Sequence, residues 1–331
     1  MITTGIAEDS DASAALNGSI TSVAARRRPS VAVLIPCYNE ALTIRGVVEG
    51  FRHALPEATI YVYDNNSRDD TSRIAGEAGA VVQSEERQGK GNVVRRMFSD
   101  IDADCYVMVD GDDTYDATAA ADAVLLVARN GVDFVNIARV TTVTEAYRRG
   151  HKFGNVMLTG IVRFFFGRQT SDMLSGYKVL SRRFVKSFPA MSRGFETETE
   201  LTVHALEMRM PMAELSAPYK ERPEGSTSKL RTYRDGWRIL MLISRLIKDE
   251  RPLAFFATLG ALFTLASLAL GLRIVVEYFE TGLVPRIPTA ILSVGCAVLA
   301  ALSVFAGVIL DVVTKARQEI KRLAYLSLPR S

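Results

Sequence analysis

Disulfide, zinc and histidine-based metal chemistry all lack the residues they need in this chain. There are three cysteines and three histidines in 331 residues. Cys37, Cys105 and Cys296 are odd in number, scattered and set in apolar stretches. That excludes a disulfide frame and a cysteine zinc site, and implies reduced, buried thiols. His53, His151 and His204 are too far apart in sequence to imply a metal cluster. Charge of one sign is also scarce: the formal net charge is only +3, so no global field draws the chain to nucleic acid, and no nucleic-acid partner is expected. No apolar h-region precedes Pro29, so residues 1–29 read as a disordered lead-in ending at Arg26-Arg27-Arg28, not as a signal peptide. Internal repeats and low-complexity tracts are missing too.

Long uncharged runs are present, and both lie near the C-terminus. Leu253–Leu272 carries no charge and, as a helix, spans roughly the 30 Å hydrocarbon core of a bilayer. Ile287–Leu310 is a second such run, with Pro288 tolerable in its first turn. Lys248, Arg251, Lys315, Arg317, Lys321 and Arg322 flank the pair on its outer sides. The excess of cationic flanks places both ends of the hairpin in the cytoplasm, so an integral inner- or plasma-membrane protein is expected. Upstream, Asp235–Lys248 has helical spacing, with Trp237, Leu240, Ile243, Leu246 and Ile247 against Arg238, Arg245 and Lys248. Such a helix suits the membrane interface.

From Ser30 onward, short β-branched runs alternate with helical stretches. Val31–Pro36, Thr59–Asp64 and Ala80–Ser84 read as strands. Glu40–Leu55, Asp69–Ala78 and Lys90–Asp100 read as helices between them. Further strands are expected at Asp133–Arg139, Met173–Leu180 and Met212–Tyr219, and further helices at Tyr147–Phe166 and Thr197–Arg209. This alternation predicts an α/β domain with a mostly parallel sheet covered on both faces. In such sheets ligands bind beyond the carboxyl ends of the strands. Pro36-Cys37-Tyr38-Asn39-Glu40, Asp64-Asn65-Asn66 and Asp110-Gly111-Asp112 all fall at such ends.

The last of these clusters ends the apolar run that begins at Cys105. A strand continued through it would send Asp110 and Asp112 to the same side, since alternate residues share a face. Paired carboxylates suit a hard divalent cation whose remaining ligands are phosphate oxygens. Gly111 would let a bulky ligand approach the backbone. An acidic surface turn is the competing reading of the same residues.

Taken in order, six motifs resemble the family 2 glycosyltransferases of the GT-A fold, and more narrowly the polyprenyl- or dolichyl-phosphate sugar synthases. They are Ile35-Pro36-Cys37-Tyr38-Asn39-Glu40, Asp64-Asn65-Asn66-Ser67, Gly89-Lys90-Gly91-Asn92, Asp110-Gly111-Asp112, Ser175-Gly176-Tyr177-Lys178 and Arg222-Pro223-Glu224-Gly225-Ser226-Thr227-Ser228-Lys229-Leu230. The resemblance implies a GT-A, Rossmann-like catalytic domain over residues 30–232. An interfacial amphipathic helix over 233–250, a transmembrane hairpin over 251–314 and a cytoplasmic tail over 315–331 would follow it. It further implies that Pro36, Tyr38, Glu40, Asp64 and Asn65 hold the nucleoside, with Lys90, Gly91 and Asp110 near the nucleotide. Asp110 and Asp112 would bind Mg2+ or Mn2+ on the diphosphate. Arg139, Arg148, Arg222 and Lys229 would face phosphate. Thr114 stands where the family often has a glutamine, and Asn65 where it often has an acid.

The implied reaction is inverting transfer of a sugar from a nucleotide sugar, UDP favoured and GDP possible, to polyprenyl phosphate. Leaving-group stabilisation by a cation and fixed positive charge is its main requirement. A phosphate acceptor is already anionic at neutral pH and needs no base. It needs positive charge near the bilayer, which Arg222, Lys229, Arg231 and Arg234 would supply. Asp112, Glu198, Arg222 and Lys229 are the candidate catalytic residues, Glu198 being the candidate base among Glu196, Glu198 and Glu200. Three alternatives remain open: a sugar-hydroxyl acceptor, a processive polysaccharide synthase, and a silent nucleotide-binding scaffold. The processive enzymes carry a Gln-x-x-Arg-Trp element, which is absent around Trp237. A homo-oligomer is compatible with the hairpin.

Overall fold

A computed structural model describes residues 28–140, 160, 171–191, 194, 196–220, 241, 244–245, 248–249 and 251–329. The expected helix at Tyr147–Phe166 and nearly all of the interfacial helix lie outside the described residues. So do Arg148, Arg222 and Lys229.

Seven strands form one sheet in the order β3-β2-β1-β4-β6-β5-β7. They are β1 Val31–Cys37, β2 Thr59–Asp64, β3 Val81–Ser84, β4 Cys105–Met108, β5 Phe134–Val140, β6 Lys178–Ser181 and β7 Met212–Pro218. β1 pairs in parallel with β2 and β4, β2 with β3, and β5 with β7. Only β6 runs the other way, antiparallel to both β4 and β5. Six strands therefore share one carboxyl-terminal edge, which β6 enters at Lys178.

Alternate residues of the central strands supply two separate cores, because successive side chains point to opposite faces. Val33, Ile35, Val107 and Val135 pack on one face with Ile44, Val47, Val48 and Phe51 of helix α1, Ile44–Ala54. Those four helical positions recur with the spacing of a single buried stripe. Helices α2, Thr71–Glu77, and α4, Ala119–Asn130, share this face through Ala75 and through Ala120, Ala123, Val124 and Val127. On the other face Leu34, Tyr106, Met108 and Phe134 meet Val93, Val94, Met97 and Phe98 of α3, Lys90–Asp100. Phe184 of α5, Arg182–Ser187, and Leu201 of α6, Thr197–Glu207, complete that layer. Fully buried aromatic and aliphatic side chains of this kind contribute about 1.5–3 kcal/mol each.

Two expectations change. The strand expected over Met173–Leu180 shrinks to Lys178–Ser181, because residues 173–177 turn instead: Ser175 Oγ donates to Ile137 O at 2.6 Å and the Gly176 N–H donates to Tyr115 Oη at 2.8 Å. The second helix does not stop where its uncharged run ends at Leu310. Helix α8 is continuous from Ile287 to Leu326. No glycine or proline lies between Gly307 and Pro329 to stop it, so the segment expected as a tail is mostly helix.

Helices α7, Pro252–Thr281, and α8 form an antiparallel hairpin, and both are long and apolar enough to cross a membrane. Many of their leucines and phenylalanines face outward; Leu265 is 64 % exposed and Phe305 67 %. Between the helices, Ser267 Oγ donates to Ser293 O at 2.8 Å and Ser293 Oγ donates to Ser267 O at 2.9 Å. A methyl group on Gly271 would stand 2.7 Å from Ser293 Oγ. Small residues thus set a close helix approach.

Candidate active site

The shared carboxyl-terminal edge gathers three polar loops. After β1 the chain turns sharply at Asn39, which has a φ of 54°. Ser67 Oγ accepts from the Asn39 N–H at 2.8 Å, and Asn39 Oδ1 accepts from the Arg68 N–H at 2.7 Å. The loops after β1 and β2 are therefore laced together. Thr43 Oγ1 donates to Gly111 O at 2.7 Å and joins the third loop to them.

Asp64 ends β2 beside Cys37 of β1. Its Oδ2 accepts from the Ser67 N–H at 3.1 Å, while its Oδ1 is buried with no hydrogen-bond partner among the described residues. A buried, unpartnered acceptor is costly to leave unmet. It marks a place where a ligand N–H would be welcome. Asn65 is different. Its Nδ2 donates to Glu85 O at 2.8 Å and Arg87 O at 2.9 Å. Its Oδ1 accepts from the Gly89 N–H at 2.7 Å and from Gln88 Nε2 at 3.3 Å. The amide is spent on ordering the loop that leads into α3, which leaves it nothing with which to read a base.

β4 ends at Met108, so Asp110, Gly111 and Asp112 lie in the turn beyond it rather than on the strand. The two carboxylates differ accordingly. Asp112 is buried, and its Oδ1 accepts from Thr114 Oγ1 at 2.6 Å and from the Thr114 N–H at 3.3 Å. Thr114 thus orients Asp112. Asp110 is the more open, its side chain 32 % exposed. Gly111 serves a close approach within the chain: a methyl group there would stand 2.8 Å from Cys37 Sγ. Gly176 makes room for Asp110, since a methyl group at that position would fall 2.2 Å from Asp110 Oδ2.

Lys90, on the first turn of α3, bridges Asp110 Oδ1 and Glu198 Oε1 in a buried three-membered ion cluster. Burial alone would lower the Lys90 ammonium, but Asp110 and Glu198 carry it above its ordinary value. Burial raises the Glu198 carboxyl and Asp110 adds to the rise, against the pull of Lys90. Glu198 Oε2 is buried without a partner among the described residues. Beneath this cluster Lys178 is fully buried, donating to Asn136 Oδ1 at 2.8 Å. Burial pushes its ammonium down to about 8, opposed by Glu198 and Asp172.

Arg139 lies at the same edge in a bidentate pair with Asp172, Nε to Oδ2 at 2.6 Å and Nη2 to Oδ1 at 2.8 Å. Its guanidinium also sits over the Tyr219 ring, 5.4 Å from the centroid. Burial would raise Asp172, but Arg139 holds it below the usual carboxylate range. Asp172, Lys178 and Gly176 were given no role from sequence. The Ser175-Gly176-Tyr177-Lys178 motif is the signal for Gly176 and Lys178, and Asp172 has none.

Pro36, Tyr38 and Glu40 line the β1 loop, half-buried, and Gly91 is buried in the first turn of α3. Among the described residues no group of three or more His, Cys, Asp or Glu side chains could hold a metal by itself. Asp110 and Asp112 still fit a hard divalent cation, provided that phosphate oxygens and water complete its shell, which is how Mg2+ is usually held.

Comparison with known proteins decides the class. Over 300 residues the chain is 31 % identical to the glycosyltransferase AglJ of Haloferax volcanii, covering 90 % of this chain and 98 % of that one. The glycosyl transferase family 2 model matches residues 32–188. This chain is a family 2 glycosyltransferase. It is also 26 % identical to a dolichyl-phosphate hexose transferase of the same organism, over 67 % of this chain and 95 % of that one. In fold it is similar to Mycobacterium tuberculosis glucosyl-3-phosphoglycerate synthase, solved with Mn2+, UDP-glucose and phosphoglyceric acid. The TM-score is 0.55 at 21 % identity, covering 67 % of this chain and 79 % of that one. The GT-A architecture expected from the motifs is therefore present, with the β6 reversal and the hairpin attached.

Proposed function

We propose that this glycosyltransferase moves a hexosyl group, with inversion, from a nucleotide sugar to polyprenyl phosphate at the cytoplasmic face of a membrane. The supporting observation is one chain that joins a nucleotide-type site to a hairpin able to cross a bilayer. UDP is the favoured nucleotide and GDP a possible one.

In this reading Asp64 Oδ1 accepts an N–H of the base, with Pro36, Tyr38 and Glu40 packing around the nucleoside. Asp110 and Asp112 would hold Mg2+ or Mn2+, which when bound supplies Lewis-acid stabilisation to the departing diphosphate. Lys90 keeps fixed positive charge beside that developing charge, and Glu198 and Asp110 hold the ammonium in place. Arg139 is preorganised by Asp172 rather than free to swing, so it adds charge of fixed position. Arg148, Arg222 and Lys229, by family resemblance, complete the phosphate-facing set, with Lys229 and Arg222 on the acceptor. The acceptor phosphate enters as an anion and needs no base.

A hydroxyl acceptor is the second reading, and one observation favours it: Glu198 has a raised carboxyl and an unpartnered oxygen beside Lys90. Radiolabelled UDP- and GDP-sugars offered to membranes with polyprenyl phosphate separate the two. Label in the organic phase is expected. Label that stays in water-soluble product, with none in lipid, overturns the lipid-phosphate reading.

A further inference from the structure

The cytoplasmic end of α8 is fastened to the catalytic domain at the sheet edge opposite the site. Tyr325 is buried, and its hydroxyl donates to Asp133 Oδ2 in a short hydrogen bond. Asp133 immediately precedes β5 and is itself buried, held by Ser181 Oγ at 2.6 Å and by Arg183 Nη2 at 2.8 Å. The Arg183 guanidinium lies over the Tyr325 ring, 4.7 Å from its centroid. One turn earlier Lys321 Nζ meets both carboxylate oxygens of Glu207 at 3.1 Å, and the Glu207 side chain is almost fully buried. Nearer the apolar stretch, Thr314 Oγ1 donates to Asp249 O at 3.0 Å, just ahead of α7.

Two of these contacts, at Lys321 and Tyr325, join α8 to the catalytic domain, and both lie at one edge of the sheet. Glu207 ends α6, whose first turn holds Glu198 at the site, so α6 runs from the site edge to the far edge. Asp133 stands at that far edge, where its N–H donates to Pro211 O at 2.9 Å ahead of β7. Passing along α8 away from the apolar run, the helix therefore meets the far edge last. Residues 311–326 rise roughly 24 Å as helix, and a seven-residue strand spans about 23 Å. The extension is as tall as the sheet.

We propose that the end of α8 is a strut that fixes the catalytic domain on the bilayer with its site edge turned toward the lipid. Tyr325 is the latch and Lys321 sets the register. The strut rests on the reading of α7 and α8 as membrane spans. Both are positioning residues, far from the reacting atoms. Tyr325, Asp133 and the Glu207 side chain are buried, so the hydrogen bond and the Lys321–Glu207 pair make a persistent contact rather than a screened surface encounter.

The test uses the full chain in vesicles, with a donor dye on Ala121→Cys, an exposed position in the first turn of α4, and acceptor dyes on lipid headgroups. Cys296 is replaced by Ala; Cys37 and Cys105 are buried. The parent should give one narrow transfer efficiency. Tyr325→Ala and Lys321→Glu should broaden and shift it, and Lys321→Glu with Glu207→Lys should restore it. Tyr325→Phe, which keeps the ring over Arg183, should shift it less. In kinetics, Tyr325→Ala should raise KM for polyprenyl phosphate about tenfold with KM for the nucleotide sugar unchanged; equal loss on both substrates overturns the proposal. Folded variants that float with vesicles yet keep the parental transfer overturn the strut alone. A parent that does not float overturns the membrane reading, and the strut with it.

Discussion

Lys90 and Glu198, 108 positions apart in sequence, close an ion pair between the first turns of α3 and α6. With Asp110 they form the floor of the site. Breaking such a buried pair from one side leaves an uncompensated charge, typically costing about 3–5 kcal/mol. Lys90→Met should therefore destabilise strongly, while Glu198→Gln, which leaves Lys90 on Asp110, should cost far less. A double-mutant cycle by chemical denaturation is expected to give a coupling above about 1 kcal/mol. Additive effects would show that the pair contributes nothing to the fold.

Lys178 makes stability depend on pH in a window that few other groups occupy. Its folded ammonium is pushed down to about 8 from 10.5, chiefly by burial. A depressed group means that the unfolded chain binds more protons between those values, so stability rises with pH across them and levels off at its lower value below about 8. The full effect is on the order of 3 kcal/mol. The parent should gain stability from pH 8 to 10 relative to Lys178→Met. Parallel curves for the two proteins would refute the assignment.

Much of the fold could be read from residue order, and the exceptions have physical causes. β2 and α3 match their expected limits because strong punctuation bounds them: Asp64-Asn65-Asn66 after one, and Gly89, with a φ of 129°, before the other. β6 was legible only as the end of the strand expected over Met173–Leu180, since residues 173–177 are taken by a turn that Ser175 and Gly176 hold, and composition carries no strand direction. The extension of α8 was hidden by its charges, which look like a tail until Tyr325 and Lys321 find Asp133 and Glu207. Individual site residues were legible at the strand ends. Their pairing was not: nothing local links Lys90 to Glu198 or Arg139 to Asp172.

Removing the cation tests the Asp110–Asp112 turn. Chelation should abolish transfer, and either Mg2+ or Mn2+ should restore it. Asp110→Ala should lose at least a hundredfold in kcat/KM, a transition-state loss of about 3 kcal/mol, with a smaller loss of stability than Lys90→Met because Lys90 keeps its pairing with Glu198. Asp112→Ala should lose activity and stability together, since its Oδ1 is bonded to Thr114. Full activity in chelator would remove the metal from the proposed mechanism.

Asp64→Asn tests the base contact. Its Oδ1 has no partner among the described residues, so the substitution breaks nothing there, whereas a ligand N–H would meet an amide that can present a donor in its place. A hydrogen bond to a charged group contributes about 1.5–3 kcal/mol, so UDP affinity by calorimetry should fall roughly 10- to 100-fold. Thermal stability should hold, because the remaining oxygen still accepts from Ser67. Unchanged affinity would move the base elsewhere.

Asn65→Asp makes the neighbouring residue the acid often found there in the family, and it should be harmful. An ionised carboxylate only accepts, so the bonds from Nδ2 to Glu85 O and Arg87 O become oxygen facing oxygen, while those to the Gly89 N–H and Gln88 survive. Leaving buried acceptors unmet costs about 1–3 kcal/mol each. Two lost bonds at a buried position predict a drop of roughly 2–6 kcal/mol in unfolding free energy and faster amide exchange over residues 85–89. Since that loop delivers Lys90 to the site, KM for the nucleotide sugar should rise as well. A variant as stable as the parent, with unaltered exchange, would show that the loop is held by something other than Asn65.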